Sequence, residues 1–122
     1  MKTILVVEDE FDVQQVVADV LRDEGYEVSV CGTGAEALRR LSESRPDVVL
    51  MDIMLPVLSG MHVLEVMRKT PGLDQVPVIL MSEAIPRSAA PSLSWQLFLK
   101  KPFRLEQLLD AVGRLSSPEG RS

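Results

Sequence analysis

Short apolar runs alternate along the chain with longer segments whose apolar residues recur at helical spacing. The apolar runs are rich in β-branched residues, and the run that ends at Val7 is continuous, as expected of a strand buried on both faces of a sheet. Strands separated by helices are typical of βα units, which build parallel sheets. The pattern therefore predicts an α/β domain with strands at residues 3–7, 26–31, 48–51, 76–81 and 96–99.

The first helical segment begins after Glu10 and stops at Gly25. Its apolar residues form one stripe that we expect to face the core: Phe11, Val13, Val16, Val17, Val20 and Leu21. Further helices are predicted at residues 35–44, 61–69 and 105–115. Another helix is required between the last two strands, but Pro86 and Pro91 leave room for barely two turns within residues 83–95. We expect that helix to be short or irregular.

The composition is that of one globular domain of 122 residues, of which 46% are apolar and 25% charged. A net charge of −5 without a basic stripe argues against direct nucleic-acid binding. Cys31 is the only cysteine, which excludes an internal disulfide and a cysteine metal cluster. No apolar run suits a signal peptide or a membrane span, so we expect a cytoplasmic protein without membrane contact. Residues 1–115 are expected to form the domain and residues 116–122 a flexible tail.

Polar residues follow the ends of the predicted strands. They are Glu8, Asp9 and Glu10 after the first strand, Asp52 after the third, Ser82 after the fourth, and Lys100 and Lys101 after the fifth. Ligands of open parallel sheets bind beyond the carboxyl ends of the strands, so these side chains are expected to meet in one crevice. Carboxylates gathered there need a compensating charge, which Mg²⁺ supplies, while lysine and serine suit phosphate oxygens. Asp52 is therefore a candidate nucleophile that forms an acyl phosphate.

The joint spacing of several motifs resembles the receiver domain of two-component response regulators, the CheY-like family, over residues 3–115. The motifs are LVVEDE at residues 5–10, VVLMDIMLPVLSG at 48–60, VILMSEA at 78–84 and FLKKPF at 98–103. The resemblance implies a flavodoxin-like (βα)₅ fold, with a five-stranded parallel sheet in the order 2-1-3-4-5 and helices on both faces.

The resemblance also implies where the phosphoryl group and the metal would bind. Asp52 corresponds to the phosphoacceptor of the family. Mg²⁺, or Mn²⁺, would be held by Asp52 with the acidic pair Glu8 and Asp9 and the backbone carbonyl of Met54. The family more often has two aspartates where this chain has Glu8 and Asp9, but the longer side chain still carries the charge.

Residues of the last two predicted strands correspond to the switching machinery of the family. Lys101 matches the lysine of the site and would be joined to Pro102 by a cis peptide bond. Ser82 matches the switch hydroxyl and Phe98 the switch aromatic residue. Phosphorylation would move Ser82 and then Phe98, and would change the face built from the predicted fourth helix, fifth strand and last helix.

The function implied by the resemblance is signal reception. A histidine kinase or phosphotransfer protein would donate the phosphoryl group to Asp52, and the switched face would act on a downstream protein target or an attached output domain, or would form a homodimer. We expect no metabolic activity, although the chain would catalyse its own Mg²⁺-dependent phosphorylation and a slow autodephosphorylation. The dephosphorylation would be slow because Met54 and Ala84, which flank the hydrolytic water, are apolar.

Three other classes of function can be compared with the sequence. A phosphatase of the haloacid dehalogenase type needs a second acid two residues beyond the nucleophile, where this chain has Met54. A flavin or dinucleotide carrier needs a phosphate-binding loop after the first strand, where this chain has the acidic EDEFD at residues 8–12. A pseudo-receiver that binds partners without phosphorylation is suggested by the irregular fourth helix and by Glu83, which either repels an incoming phosphoryl group or points to water. The joint presence of Asp9, Asp52, Ser82 and Lys101 argues against it.

Overall fold

The structure is a computed structural model, and it describes residues 2–84 and 94–116. Within these residues, strands and helices follow one another as β1 (Thr3–Val7), α1 (Phe11–Asp23), β2 (Glu27–Cys31), α2 (Gly34–Glu43), β3 (Val48–Asp52), α3 (Gly60–Arg68), β4 (Val78–Ser82), β5 (Leu97–Lys100) and α4 (Leu105–Ser116). None of the described helices has the length and apolar character that a membrane span requires.

All five strands form one parallel sheet in the order β2-β1-β3-β4-β5, which confirms the predicted order. The register aligns the carboxyl ends of the strands that precede the polar residues. Val7 pairs with Met51, so Glu8 and Asp52 follow side by side. Ser82 pairs with Lys100, which places Lys101 at the same edge. The strand order reverses between β1 and β3, the position at which open α/β sheets bind their ligands.

Each face of the sheet buries its own hydrophobic core under two helices. Ile4 and Val6 of β1 point to the face covered by α1 and α4. Leu5 and Val7 point to the face covered by α2 and α3. Every residue of β3 and β4 is buried, as expected of central strands covered on both sides. Because Asp52 is the last residue of β3, this rigid core fixes its backbone.

The expectation that the whole apolar stripe of α1 faces the core is wrong at two positions. Phe11 is 69% exposed and Val16 is 50% exposed. The core side of the helix is made of Val17, Ala18 and Leu21. Phe11 is the first residue of the helix, and Val16 lines a groove between α1 and the start of α4. Both side chains therefore add apolar surface close to the carboxyl edge of the sheet.

Two predicted features concern residues outside the described ones. The body of the expected short or irregular helix, residues 85–93, is one of them, and residues 117–122 of the expected tail are the other. Ser116, which we expected to belong to the tail, is instead the last residue of α4 and is buried. Its hydroxyl lies 3.1 Å from the hydroxyl of Tyr26, which anchors the end of the helix.

Arg68, at the end of α3, fixes the chain where it enters β5. Its Nε donates to the backbone oxygen of Ser94 at 2.9 Å, and its Nη1 donates to that of Val76 at 2.9 Å. The side-chain oxygen of Gln96 accepts from the backbone N–H of Val78 at 2.7 Å. These bonds hold the beginning of β5 against the beginning of β4. In the resulting register Ser82 pairs with Lys100, so Lys101 lies at the carboxyl edge of the sheet.

Candidate functional site

A cleft of about 330 Å³ opens at the carboxyl edge of the sheet, beyond β1, β3, β4 and β5. The residues that line it are Asp9, Glu10, Asp52, Met54, Glu83 and Lys101. Acidic side chains dominate this lining, and Lys101 is the basic residue among them. The cleft thus brings together residues that the sequence placed after four different strands.

Lys101 joins the two buried carboxylates of the site. Its ammonium donates to Asp52 Oδ2 at 2.6 Å and to Glu8 Oε1 at 2.8 Å. The second oxygen of each carboxylate accepts a backbone N–H, from Glu10 at 3.0 Å for Glu8 and from Met54 at 2.9 Å for Asp52. The Glu8 side chain is fully buried and that of Lys101 is 14% exposed. These bonds hold Asp52 in one orientation at the floor of the cleft.

The ionisation of the cluster follows from burial and charge. Burial raises the pKa of Glu8, although the hydrogen bonds from Lys101 and from the Glu10 N–H act against this. Burial also acts to lower the pKa of Lys101, but the hydrogen bonds and charges of Asp52 and Glu8 together outweigh it, and this pKa is raised. The lysine is therefore held in its charged form. Glu8 is less well compensated, since it shares one ammonium with a second carboxylate.

The donor set fits a divalent cation. Carboxylate oxygens of Glu8, Asp9 and Asp52 all lie within 4.8 Å of one another. Hard oxygen donors of this kind suit Mg²⁺ or Mn²⁺, and a cation would relieve the repulsion among the acids. Asp9 is exposed, so the group is open to solvent on one side. The role expected of the Met54 carbonyl stays a prediction; its side chain is 71% exposed at the cleft.

The remaining predicted site residues lie at the ends of β4 and β5. The peptide bond between Lys101 and Pro102 is cis. Ser82 is buried, and its hydroxyl accepts the N–H of Ala84 at 3.4 Å. Phe98 is half-buried and packs on the core beneath α2 and α3. Ser82 lies directly before the cleft-lining Glu83, whereas Phe98 does not reach the cleft.

Gly60, the first residue of α3, shapes the loop after Asp52, as its place in the sequence predicts. Its N–H donates to the backbone oxygen of Ile53 at 2.9 Å, which closes the loop after Asp52. A Cβ at this position would collide with the backbone oxygen of Asp52 and lie 3.0 Å from the Cα of Ile53. Gly60 therefore lets the loop return close to the strand end that carries Asp52. The sequence predicts that Gly60 shapes this loop, whereas the close approach to the backbone of Asp52 is seen only in the fold.

A parallel sheet with an acidic cleft and a lysine at its carboxyl edge defines an α/β domain whose candidate ligand site lies where the strand order reverses. The chain matches the family described as the response regulator receiver domain over residues 4–113, and it belongs to that family. The flavodoxin-like, CheY-like fold inferred from the motifs is thereby confirmed.

Two curated relatives are similar in sequence to this chain and are named as regulators. The chain is 39% identical over 112 residues to the uncharacterized transcriptional regulatory protein YkoG of Bacillus subtilis (strain 168), covering 89% of this chain and 48% of that protein. It is 33% identical over 109 residues to the DNA-binding response regulator MtrA of Mycobacterium tuberculosis (strain ATCC 25618 / H37Rv), again covering 89% and 48%. The chain thus spans about half the length of these curated relatives.

A solved structure with the same fold carries a metal. It is the receiver domain of the sensor histidine kinase PA1611 from Pseudomonas aeruginosa PAO1, described with a magnesium ion coordinated in the active site cleft. Its TM-score to this chain is 0.86 at 30% sequence identity, covering 94% of this chain and 97% of that chain.

Replacement of Gly60 tests the close approach of the loop to Asp52. We expect Gly60→Ala to lower the free energy of unfolding by about 1–3 kcal/mol, because the new methyl group has no room. Gly113→Ala is the matched control, since a Cβ there meets nothing within 4 Å. That variant should be more stable by about 0.5–1 kcal/mol, as alanine favours helix over glycine. Urea unfolding followed by circular dichroism measures both, and equal effects of the two substitutions would contradict the packing described here.

Proposed function

We propose that the chain is a phosphorylation-controlled switch in which Asp52 accepts a phosphoryl group from the phosphohistidine of a histidine kinase or phosphotransfer protein. The observation that carries the proposal is the ammonium of Lys101, held 2.6 Å from Asp52 Oδ2 at the floor of the acidic cleft. Family membership supports the same reaction. In the transfer, an Asp52 oxygen bonds to phosphorus while the bond from phosphorus to the histidine nitrogen breaks, and the nitrogen keeps the electron pair.

Four charged residues at the carboxyl edge of the sheet have a part in this reaction: Glu8, Asp9, Asp52 and Lys101. Mg²⁺ bound by Glu8, Asp9 and Asp52 would supply positive charge to the phosphoryl oxygens. Lys101 orients the Asp52 carboxylate before transfer and offers its ammonium to a phosphoryl oxygen afterwards. The lysine keeps a partner throughout, because its second bond goes to the fully buried Glu8.

A backbone hydrogen bond would couple the change of partner at Lys101 to the end of β4. The N–H of Lys101 donates to the backbone oxygen of Ser82 at 2.8 Å. Among the contacts of residues 2–84 and 94–116, the Ser82 hydroxyl acts as an acceptor from Ala84, so its proton could be donated to a phosphoryl oxygen. A shift of Ser82 toward the phosphate would open space beside β5, where Phe98 pairs in register with Leu80 of β4. Phe98 is the proposed second member of the switch.

The surface beside the cleft suits a docked protein. An apolar groove of about 570 Å³ runs between α1 and the start of α4, and its lining includes Val16, Pro102 and Leu105. Lys101 lines both this groove and the cleft. A helix of the kinase or phosphotransfer protein packed in the groove would bring its phosphohistidine next to Asp52. We expect this reaction to take place in the cytoplasm.

The output of the switch is proposed to lie outside the described fold. The relatives are named as transcriptional or DNA-binding regulators, and they are about twice as long as the matched region. An attached output domain or a separate protein would then read the face near Phe98, and a homodimer through that face is a further form of output. Direct contact of this domain with nucleic acid is not proposed, because its net charge is −5.

Incubation with acetyl phosphate and Mg²⁺, followed by intact-mass spectrometry, tests the phosphoacceptor. The protein should gain the mass of one phosphoryl group, and the gain should require Mg²⁺ and vanish in Asp52→Asn. Asp23→Asn, an exposed carboxylate at the end of α1, is the matched control and should be phosphorylated normally. No gain in the folded protein would favour a module that binds partners without phosphorylation. A gain that persists in Asp52→Asn would assign the reaction to another carboxylate.

The lifetime of the phosphorylated form tests the roles of Met54 and Ala84. We expect slow hydrolysis, because neither side chain can hold the attacking water. The double variant Met54→Asn, Ala84→Gln should lose its phosphoryl group at least about tenfold faster, since positioned polar groups assist proton transfer from water. Val57→Asn makes the same apolar-to-polar change on a fully exposed loop residue and should leave the rate unchanged. An unchanged lifetime in the double variant would refute this explanation.

A further inference from the structure

Glu83 stands where the cleft meets the apolar groove. It follows the last residue of β4, and its side chain is exposed. It lines the cleft together with Asp52 and Lys101, and it also lines the groove together with Val16 and Leu105. A phosphodonor that enters the cleft, and a protein that fills the groove, would both pass close to this carboxylate.

The cluster of Lys101, Asp52 and Glu8 at the floor of the cleft does not neutralise the charge of Glu83. Lys101 is already bonded to Asp52 and Glu8. Within residues 2–84 and 94–116, no ion pair shorter than 4 Å involves Glu83. The carboxylates close enough to share a cation are those of Glu8, Asp9 and Asp52, so a metal ion held by them leaves Glu83 outside its ligand set.

We propose that Glu83 selects the phosphodonor by charge, disfavouring free dianionic donors relative to a phosphohistidine presented by a docked protein. The proposal rests on the proposed function of Asp52. A carboxylate at the entrance repels a dianion about twice as strongly as a monoanion at the same distance. A protein seated in the groove escapes this penalty when it places a basic side chain against Glu83, because complementary charges across an interface favour the correct partner.

Two small donors separate charge from other effects. Acetyl phosphate is a dianion at neutral pH, and phosphoramidate is mainly a monoanion. In both reactions an Asp52 oxygen bonds to phosphorus. Acetate leaves with the electron pair of the broken P–O bond in the first, and ammonia leaves with that of the broken P–N bond in the second. The acceptor and the phosphorylated product are the same in both reactions. A change in the ratio of the two rates on substitution of Glu83 therefore measures how strongly its charge discriminates between a dianionic and a monoanionic donor.

The experiment compares the protein with Glu83→Gln, Glu83→Ala and the control Glu27→Gln. Glu27 is an exposed acid at the start of β2, at the opposite edge of the sheet. Initial rates of phosphorylation are measured by intact mass with each donor, at Mg²⁺ concentrations shown to saturate each variant. Each rate is measured at low salt and at about 0.5 M salt, where the Debye length is only a few ångström.

We expect Glu83→Gln and Glu83→Ala to raise the acetyl phosphate rate by about three- to tenfold at low salt. The phosphoramidate rate should rise by a clearly smaller factor, and both gains should shrink at high salt. Glu27→Gln should behave like the unchanged protein. This pattern would assign donor selection to the charge of Glu83.

Other outcomes overturn the proposal, in ways that can be told apart. Equal rates in Glu83→Gln and the unchanged protein would show that the carboxylate has no effect, while leaving Asp52 as the phosphoacceptor. A gain confined to Glu83→Ala, or equal for both donors, would mean that side-chain size rather than charge controls entry. Absence of phosphorylation in every variant with both donors would overturn the proposed function as well as the role of Glu83.

Discussion

The ammonium of Lys101, bonded at once to Asp52 and Glu8, is the interaction on which the rest of the site depends. A buried carboxylate is costly unless its charge is matched and its oxygens are hydrogen-bonded. Lys101 does this for two carboxylates on neighbouring strands, and backbone N–H groups of the adjoining loops satisfy the other oxygens. The lysine in turn is fixed by β5, whose entrance is tied to α3 and β4 through Arg68 and Gln96.

One lysine cannot balance three acids, and this imbalance explains how the site would work. Glu8, Asp9 and Asp52 carry more negative charge than Lys101 removes. Burial raises the pKa of Glu8, and the charge of Asp52 acts in the same direction. A divalent cation would relieve the excess, and a phosphoryl group on Asp52 would give Lys101 an anionic partner in addition to Glu8 and Asp52. The backbone N–H of Lys101 is bonded to the backbone oxygen of Ser82, so the proposed change at the cleft would be passed directly to β4.

The sequence was informative wherever a pattern is local. Continuous runs rich in β-branched residues predicted the strands. The polar residues after these runs identified Asp52 and Lys101 as site residues, and both lie at or next to an observed strand end. It was less informative about packing between distant segments. The exposure of Phe11, the clearance required at Gly60 and the clamp made by Arg68 depend on elements that meet only in the fold. The bond from Lys101 to Glu8 joins residues 93 positions apart, and no spacing rule reveals it without the sheet order.

The stability of the protein as a function of Mg²⁺ concentration tests most directly whether the acidic cluster is short of positive charge. Ligand linkage predicts that the free energy of unfolding in urea rises by about 1.4 kcal/mol for each tenfold increase in free Mg²⁺ above the dissociation constant. The rise should be lost in Asp9→Asn, which removes the exposed ligand, and retained in Asp23→Asn. A free energy of unfolding that does not change with Mg²⁺ concentration, or a rise of equal size in Asp9→Asn, would contradict the claim that this cluster binds a divalent cation.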